Sequence, residues 1–136
     1  MSDALGDVRH AIENLLYTYA RLADDLDAEG IGTLMARATV ISGGQSSTGR
    51  DEVVARLTPL FAEVEKSRHL MSNIVVTLGP DAATASATLL YDKWEIHDEP
   101  VVMASGRYAS EFARNEDGWY FTSHHVQNAW RRAVPA

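Results

Sequence analysis

"VVMASGRYASEFARNEDGWYFTSHHVQNAW" (residues 101–130) holds two long runs rich in aromatic and β-branched residues, separated by Asn115-Glu116-Asp117-Gly118. Side chains of this kind favour extended backbone. An Asp-Gly pair between two such runs signals a tight hairpin. The stretch therefore predicts antiparallel strands over 101–114 and 119–130. Toward the N-terminus, "HDEP" (97–100) reads as a turn and "TASATLLYDKWEI" (84–96) as a strand. Gly79-Pro80-Asp81-Ala82 reads as a turn and "RHLMSNIVVTL" (68–78) as a strand. Four long strands with no helix between them make an antiparallel meander.

The N-terminal half has a different period. Ile12, Leu15, Leu16, Tyr19, Leu22, Ala23 and Leu26 recur at helical spacing, which predicts an amphipathic helix ended by Gly30 and Gly32. Leu34 and Met35 predict a short second helix, 39–41 a short strand, and "SGGQSSTGR" (42–50) a loop. Thr48, followed by Asp51, predicts the N-cap of a third helix carrying Val53, Val54, Leu57, Leu60, Phe61 and Val64, which Pro59 is expected to bend. The fold class is α+β, in a single domain over residues 1–136. One face of the sheet must be covered, and these helices are the only cover. A sheet curled around a helix encloses a pocket, the default ligand site.

Composition narrows the function. The chain is 46% hydrophobic and 23% charged, the balance of a soluble globular domain. A net charge of -7 argues against nucleic acid as a partner. No run approaches the ~20 apolar residues of a membrane span, and no signal peptide is visible at the start. With no cysteine, disulfides, thiolate metal sites and a Cys nucleophile are excluded. These features lead us to expect a cytoplasmic protein. No phosphate loop, GxSxG or HExxH occurs. The five histidines follow no ligand spacing, and adjacent His124 and His125 point to opposite faces of a strand. Neither a metal nor an organic cofactor is expected.

"YARLADDLDAEG" (19–30) crowds Asp24, Asp25 and Asp27 at a helix C-terminus, where the helix dipole disfavours acid. At about 100° per residue, Ala20, Ala23, Asp24 and Asp27 form one strip beside the apolar stripe. Helix geometry nominates Asp24 and Asp27 and disfavours Asp25.

The same stretch resembles the Tyr-Ala-Arg-x-x-Asp-x-x-Asp helix end of the SnoaL-like branch of the nuclear transport factor 2-like superfamily. "GRDEV" (49–53), "RHLMSNIVV" (68–76), "ASGRYASEFAR" (104–114) and "DGWYFTSHHV" (117–126) follow in that family's order. Two features depart from it: Ala28 replaces a usual Trp, and "MARATVISGG" (35–44) lacks a usual acidic pair. The resemblance implies a cone, a bent sheet wrapped on the first helix around a pocket. Its members include polyketide cyclases, dehydratases, a dehydrochlorinase and isomerases, and others that only bind or scaffold. It further implies that Tyr19, Asp24 and His69 correspond to the dehydratases' Tyr-Asp-His set: His69 the base, Asp24 its orienting partner, Tyr19 a hydrogen-bond donor. Asp27 is the alternative acid at the helix end, or a partner for the turn.

Alternation from His69 puts Met71, Asn73 and Val75 on one face, which makes Asn73 a candidate pocket residue. In the last strand Trp119, Phe121, Ser123, His125 and Gln127 share one face, and Tyr120, Thr122, His124, Val126, Asn128 and Trp130 the other. Tyr91 and Lys93 likewise oppose Asp92 and Trp94. Alternation does not say which face is inside. Tyr91 and His125 are carried as ligand-contact candidates, and Asp92, His124 and His125 as candidates for a second acid or base. The expected function is cofactor-free proton transfer on a small apolar cyclic metabolite, in a lyase, isomerase or cyclase. The alternative is a ligand-binding or dimeric assembly module, with Trp94 and Trp130 offering an interface for a homodimer or higher homo-oligomer through the sheet.

Overall fold

The first helix, α1 (Ala4–Asp24), turns Val8, Ile12, Leu16, Ala20 and Ala23 inward, all less than a tenth exposed. A computed structural model of the chain describes residues 4–97 and 101–134. After α1 come α2 (Ala28–Leu34), β1 (Thr39–Ser42), β2 (Gln45–Thr48), α3 (Gly49–Phe61), β3 (Lys66–Leu78), β4 (Thr84–Ile96), β5 (Val101–Asn115) and β6 (Gly118–Val134). The α+β reading and the four long strands are as the sequence predicts. The turn read at 97–100 lies, from residue 98 onward, outside the described residues.

The sheet is six-stranded, curved and unclosed, in the order β2-β1-β6-β5-β4-β3. It is mixed, because β1 runs parallel to β6 while every other pair is antiparallel. The stretch 42–50 is therefore only partly loop. Gln45–Thr48 pairs with β1 through a turn at Gly43 and Gly44, whose φ values of 60° and 76° suit glycine. Its run of small polar residues hides a strand, since all but Ser47 are exposed. Thr48 is the N-cap of α3, but its hydroxyl bonds Thr39 Oγ1 at 3.0 Å rather than the helix; Glu52 instead accepts from Thr48 N at 2.8 Å. Pro59 lies in the last turn of α3, which ends two residues on.

The two predicted turns close as their residues require. Ala82 N donates to Gly79 O across the Pro80-Asp81 corner at 3.1 Å. Asn115 pairs with Gly118 around Glu116 and Asp117.

Among the described residues three bulges curve the sheet. One lies between Ser72 and Val75 of β3, with Asn73 at φ 56°. In β6 the register shifts opposite Glu111/Phe112 and again opposite Ser105/Gly106. At the second, a Cβ on Gly106 would sit 2.2 Å from Gln127 O, so only glycine lets β5 and β6 approach there. The core joins α1 and α2 to the concave face through Leu89, Tyr91, Tyr108, Phe112 and Phe121.

Candidate active site

Asp24 is the last residue of α1, and β3 passes beside it. Its Oδ1 lies 2.6 Å from His69 Nδ1 and accepts from Ser67 Oγ at 3.2 Å, while Oδ2 accepts from the His69 backbone N–H at 3.2 Å. These donors compensate the acid at the unfavourable helix end. The His69 side chain is 6% exposed and that of Asp24 17%. With Nδ1–H donating to Asp24, the imidazole tautomer is fixed and Nε2 keeps its lone pair. Burial pushes the His69 pKa below its ordinary value, against the opposing pull of Asp24. The ring is therefore neutral near pH 7, the state a general base requires.

Tyr19 stands beside this pair, its ring centroid 6.5 Å from that of His69. Burial pushes its hydroxyl up to about 12, so it stays protonated at neutral pH and can donate a hydrogen bond. Tyr108 packs edge-on to Tyr19 at 5.8 Å and stacks on Tyr91 at 4.2 Å. Burial also raises Tyr108 well above 10 and Tyr91 to about 12. Three protonated phenols thus sit side by side, with the Tyr91 hydroxyl donating to Asn128 Oδ1.

Tyr19, Ser67, His69, Tyr91 and Tyr108 line one cavity of about 490 Å³, within the usual range for small-molecule sites. Leu57, Leu60, Phe61 and Val126 supply apolar wall. The wall also carries a polar row. Lys93 and Glu95 of β4, and His97 just beyond its end, alternate on the face of Tyr91. Glu95 Oε2 lies 3.4 Å from Lys93 Nζ, and Oε1 lies 3.2 Å from His97 Nε2. Burial raises the Glu95 carboxyl, but Lys93 and His97 outweigh it and hold the group below its usual value. The cavity is thus more polar than the sequence led us to expect. Lys93 and Glu95 were findable, because they share the parity of Tyr91. Ser67, Arg56 and Tyr108 also line the cavity but carried no local signal; their places arise from β3, α3 and β5 meeting the same space.

Four further residues resolve by geometry. Asn73 is exposed rather than in the pocket, because the bulge at 72–75 breaks the alternation counted from His69; Ile74, Val76 and Leu78 turn inward instead. Asp27 is also outside the cavity. The helix ends at Asp24, so the extrapolated strip does not reach it, and Asp27 caps α2 by accepting from Gly30 N at 2.8 Å. Asp25 is exposed, as helix geometry predicts. His125 pairs with Ala109 on the convex face and lines no wall of this cavity, and Asp92, paired with Ser105, is exposed on the same face.

His124 is fully buried against Tyr19, Tyr108 and Phe121, with Nδ1 2.8 Å from Ser110 Oγ and Nε2 without a hydrogen-bond partner among the described residues. Burial, with His125 and His69 adding to it, pushes its pKa down to about 3. It packs behind Tyr19 and Tyr108 and does not itself line the cavity. In the unfolded chain an imidazole binds its proton near pH 6.5. The unfolded state therefore gains protons that the native state refuses, and stability falls as pH drops from about 6.5 toward 3. Urea midpoints at pH 7 and pH 4.5 should differ clearly for the native protein, and the gap should narrow in His124→Gln. An equal gap in both proteins would contradict this.

Among the described residues no group of three His, Asp or Glu side chains gathers as a metal site, and no helix is long and apolar enough to cross a membrane. No curated protein matches the chain significantly. Solved structures do. A proposed scytalone dehydratase from Novosphingobium aromaticivorans superposes with a TM-score of 0.88 at 18% identity, over 100% of this chain and 93% of its own. A proposed aromatic ring hydroxylase from the same species gives 0.83 at 25% identity, over 93% and 92%. The hexachlorocyclohexane dehydrochlorinase LinA-type3 from Novosphingobium barchaimii gives 0.86 at 12% identity, over 98% and 94%. The low identities speak for a shared fold. Residues 7–125 match the family model of the SnoaL-like domain, and the chain therefore belongs to the SnoaL-like family of the nuclear transport factor 2-like superfamily.

Proposed function

We propose that the protein is a cofactor-independent lyase, isomerase or cyclase acting on a small, largely apolar, cyclic and oxygenated molecule. His69 Nε2 takes a proton from a carbon next to a carbonyl or leaving group. Asp24 holds the resulting imidazolium, and the Tyr19 hydroxyl donates to the oxygen on which charge develops. The electron pair left on carbon then expels the leaving group, shifts the double bond or closes a ring. The observation that carries this reading is the 2.6 Å contact between Asp24 and His69 at the wall of a 490 Å³ cavity. The names of two structural relatives, a dehydratase and a dehydrochlorinase, are those of eliminating enzymes.

A thermal-shift screen of steroids, polyketide fragments and terpenoid alcohols would find ligands, since binding raises apparent stability. Proton NMR in D₂O would then follow loss of the carbon-bound proton with native protein and with His69→Ala. Exchange at the native rate without His69 would sink the mechanism.

The convex face supports self-association as well. Leu70, Leu90, Trp94 and Trp130 sit there on β3, β4 and β6, each 40–64% exposed. Such a patch marks interaction sites, and we propose it as the contact of a homo-oligomer. Light scattering should show an assembly that Trp94→Lys shifts toward monomer; a native monomer at 100 µM (roughly the upper range for a transient dimer) would refute it.

A further inference from the structure

Arg56 stands in a position that the proton-transfer scheme does not use. It reaches from α3 to the β1-β2 turn, where Nη1 donates to Gln45 Oε1 at 2.5 Å and Nη2 to Ser42 O at 3.3 Å. Both acceptors are neutral. Gly43, at φ 60°, lets the turn pass close by; a Cβ there would meet Arg56 Nη2 at 3.3 Å. The guanidinium is thus held in place, part-buried, at the wall of the cavity that contains His69. Among the described residues no carboxylate lies within 4.0 Å of it. Exposed Arg50, by contrast, pairs with Glu29 and Asp51, and Lys93 with Glu95.

A partly desolvated cation without a counter-charge is costly unless something supplies one. In a chain with a net charge of -7, its occurrence at this wall is not a general surplus of base. Two of the five guanidinium N–H groups are used, which leaves a fork suited to a planar anion. Leu57, Leu60 and Phe61, from the same helix, offer apolar surface beside it.

We propose that Arg56 seats the carboxylate of an organic acid whose apolar body lies along α3, in the cavity served by His69. This rests on the reading of that cavity as the ligand site, and names the class of molecule it takes. A bare inorganic anion would leave the apolar wall unused.

The test is calorimetric titration of the full chain with three matched pairs: benzoate and benzyl alcohol, cyclohexanecarboxylate and cyclohexylmethanol, 2-naphthoate and 2-naphthylmethanol. At least one acid should bind about ten- to a hundredfold more tightly than its alcohol, the range expected of a charge-assisted pair. Arg56→Gln should abolish the preference while leaving alcohol affinity unchanged, which reports an intact cavity. Arg56→Lys keeps the charge without the fork and should give an intermediate preference, which decides the matter if the glutamine variant loses alcohol binding too.

Any of several results would overturn the proposal: no member of any pair binding, acids binding no better than alcohols, or phosphate binding as tightly as the acids. So would a preference that survives Arg56→Gln, that Arg56→Lys abolishes with alcohol binding intact, or that is lost only on replacing Lys93 or the exposed cavity cation Arg131. His69→Asn protein should show the native preference, because seating an acid needs no proton transfer. Failure of the subsite and failure of the His69 chemistry are therefore read separately.

Discussion

Replacing His69 with Gln should lower turnover by about 10²- to 10⁴-fold, the usual contribution of a positioned general base. Asp24→Asn should also act strongly, because an amide can present its N–H₂ to Nδ1 and favour the wrong tautomer. The pH profile separates these roles from simple damage. The acid limb of kcat/KM reports the His69 ionisation in the free enzyme. Burial outweighs the pull of Asp24, so the limb should lie below the ordinary imidazole value of about 6.5. Removing Asp24 takes away the influence that favours imidazolium. The limb should then move to still lower pH while the plateau falls. Partial unfolding would lower the plateau and leave the limb where it was. A limb that moves up in Asp24→Asn, or a His69→Gln enzyme with full turnover, would contradict the assignment.

The long strands were legible because their patterning and turn residues agreed. Gly79-Pro80-Asp81-Ala82 and the Asn115 to Gly118 hairpin each fixed a corner, and thirteen- to seventeen-residue strands followed between them. Strand β2 was not legible. Gln45–Thr48 is held by its ladder to β1 and offers almost no apolar face of its own. The parallel pairing of β1 with β6 joins residues some eighty positions apart, which no local period reports.

The site divides in the same way. Asp24 and His69 could be paired only through the resemblance, since helix geometry puts Asp27 closer than Asp24 to the centre of the apolar stripe. What ranks them physically is a helix end: α1 stops at Asp24, Leu26 turns to φ 56°, and Asp27 faces away to cap α2. Asn73 was placed wrongly because alternation carries no warning of a bulge, although an Asn at positive φ is a common partner of one. Lys93 and Glu95 follow from Tyr91 once its side of β4 is known. Arg56 does not, because its role depends on where a turn from another strand lies.

The bulge in β6 predicts the largest effect on stability. Strict alternation would put Phe121 and His124 on opposite faces, and a substitution at one of them would then be nearly harmless. The extra residue at Thr122-Ser123 brings both inward, where each is 0% exposed. The Phe121 ring lies 4.7 Å from Phe112 and 5.7 Å from His124, centroid to centroid. Phe121→Ala should therefore cost about 3–5 kcal/mol and lower Tm by on the order of 10 °C. Phe112→Ala should cost a similar amount, and the double variant less than the sum, because each single change already removes their shared contact. The loss should also reach the site. His124 packs on Tyr19 at 4.5 Å, so a void behind its ring loosens the phenol that stands beside His69. Thermal melts of the three variants test the packing. A Phe121→Ala protein within 1 kcal/mol of native (far below the cost of a void this size) would mean that the bulge does not hold in solution. His124 would then lose its place behind Tyr19, and Tyr19 its support.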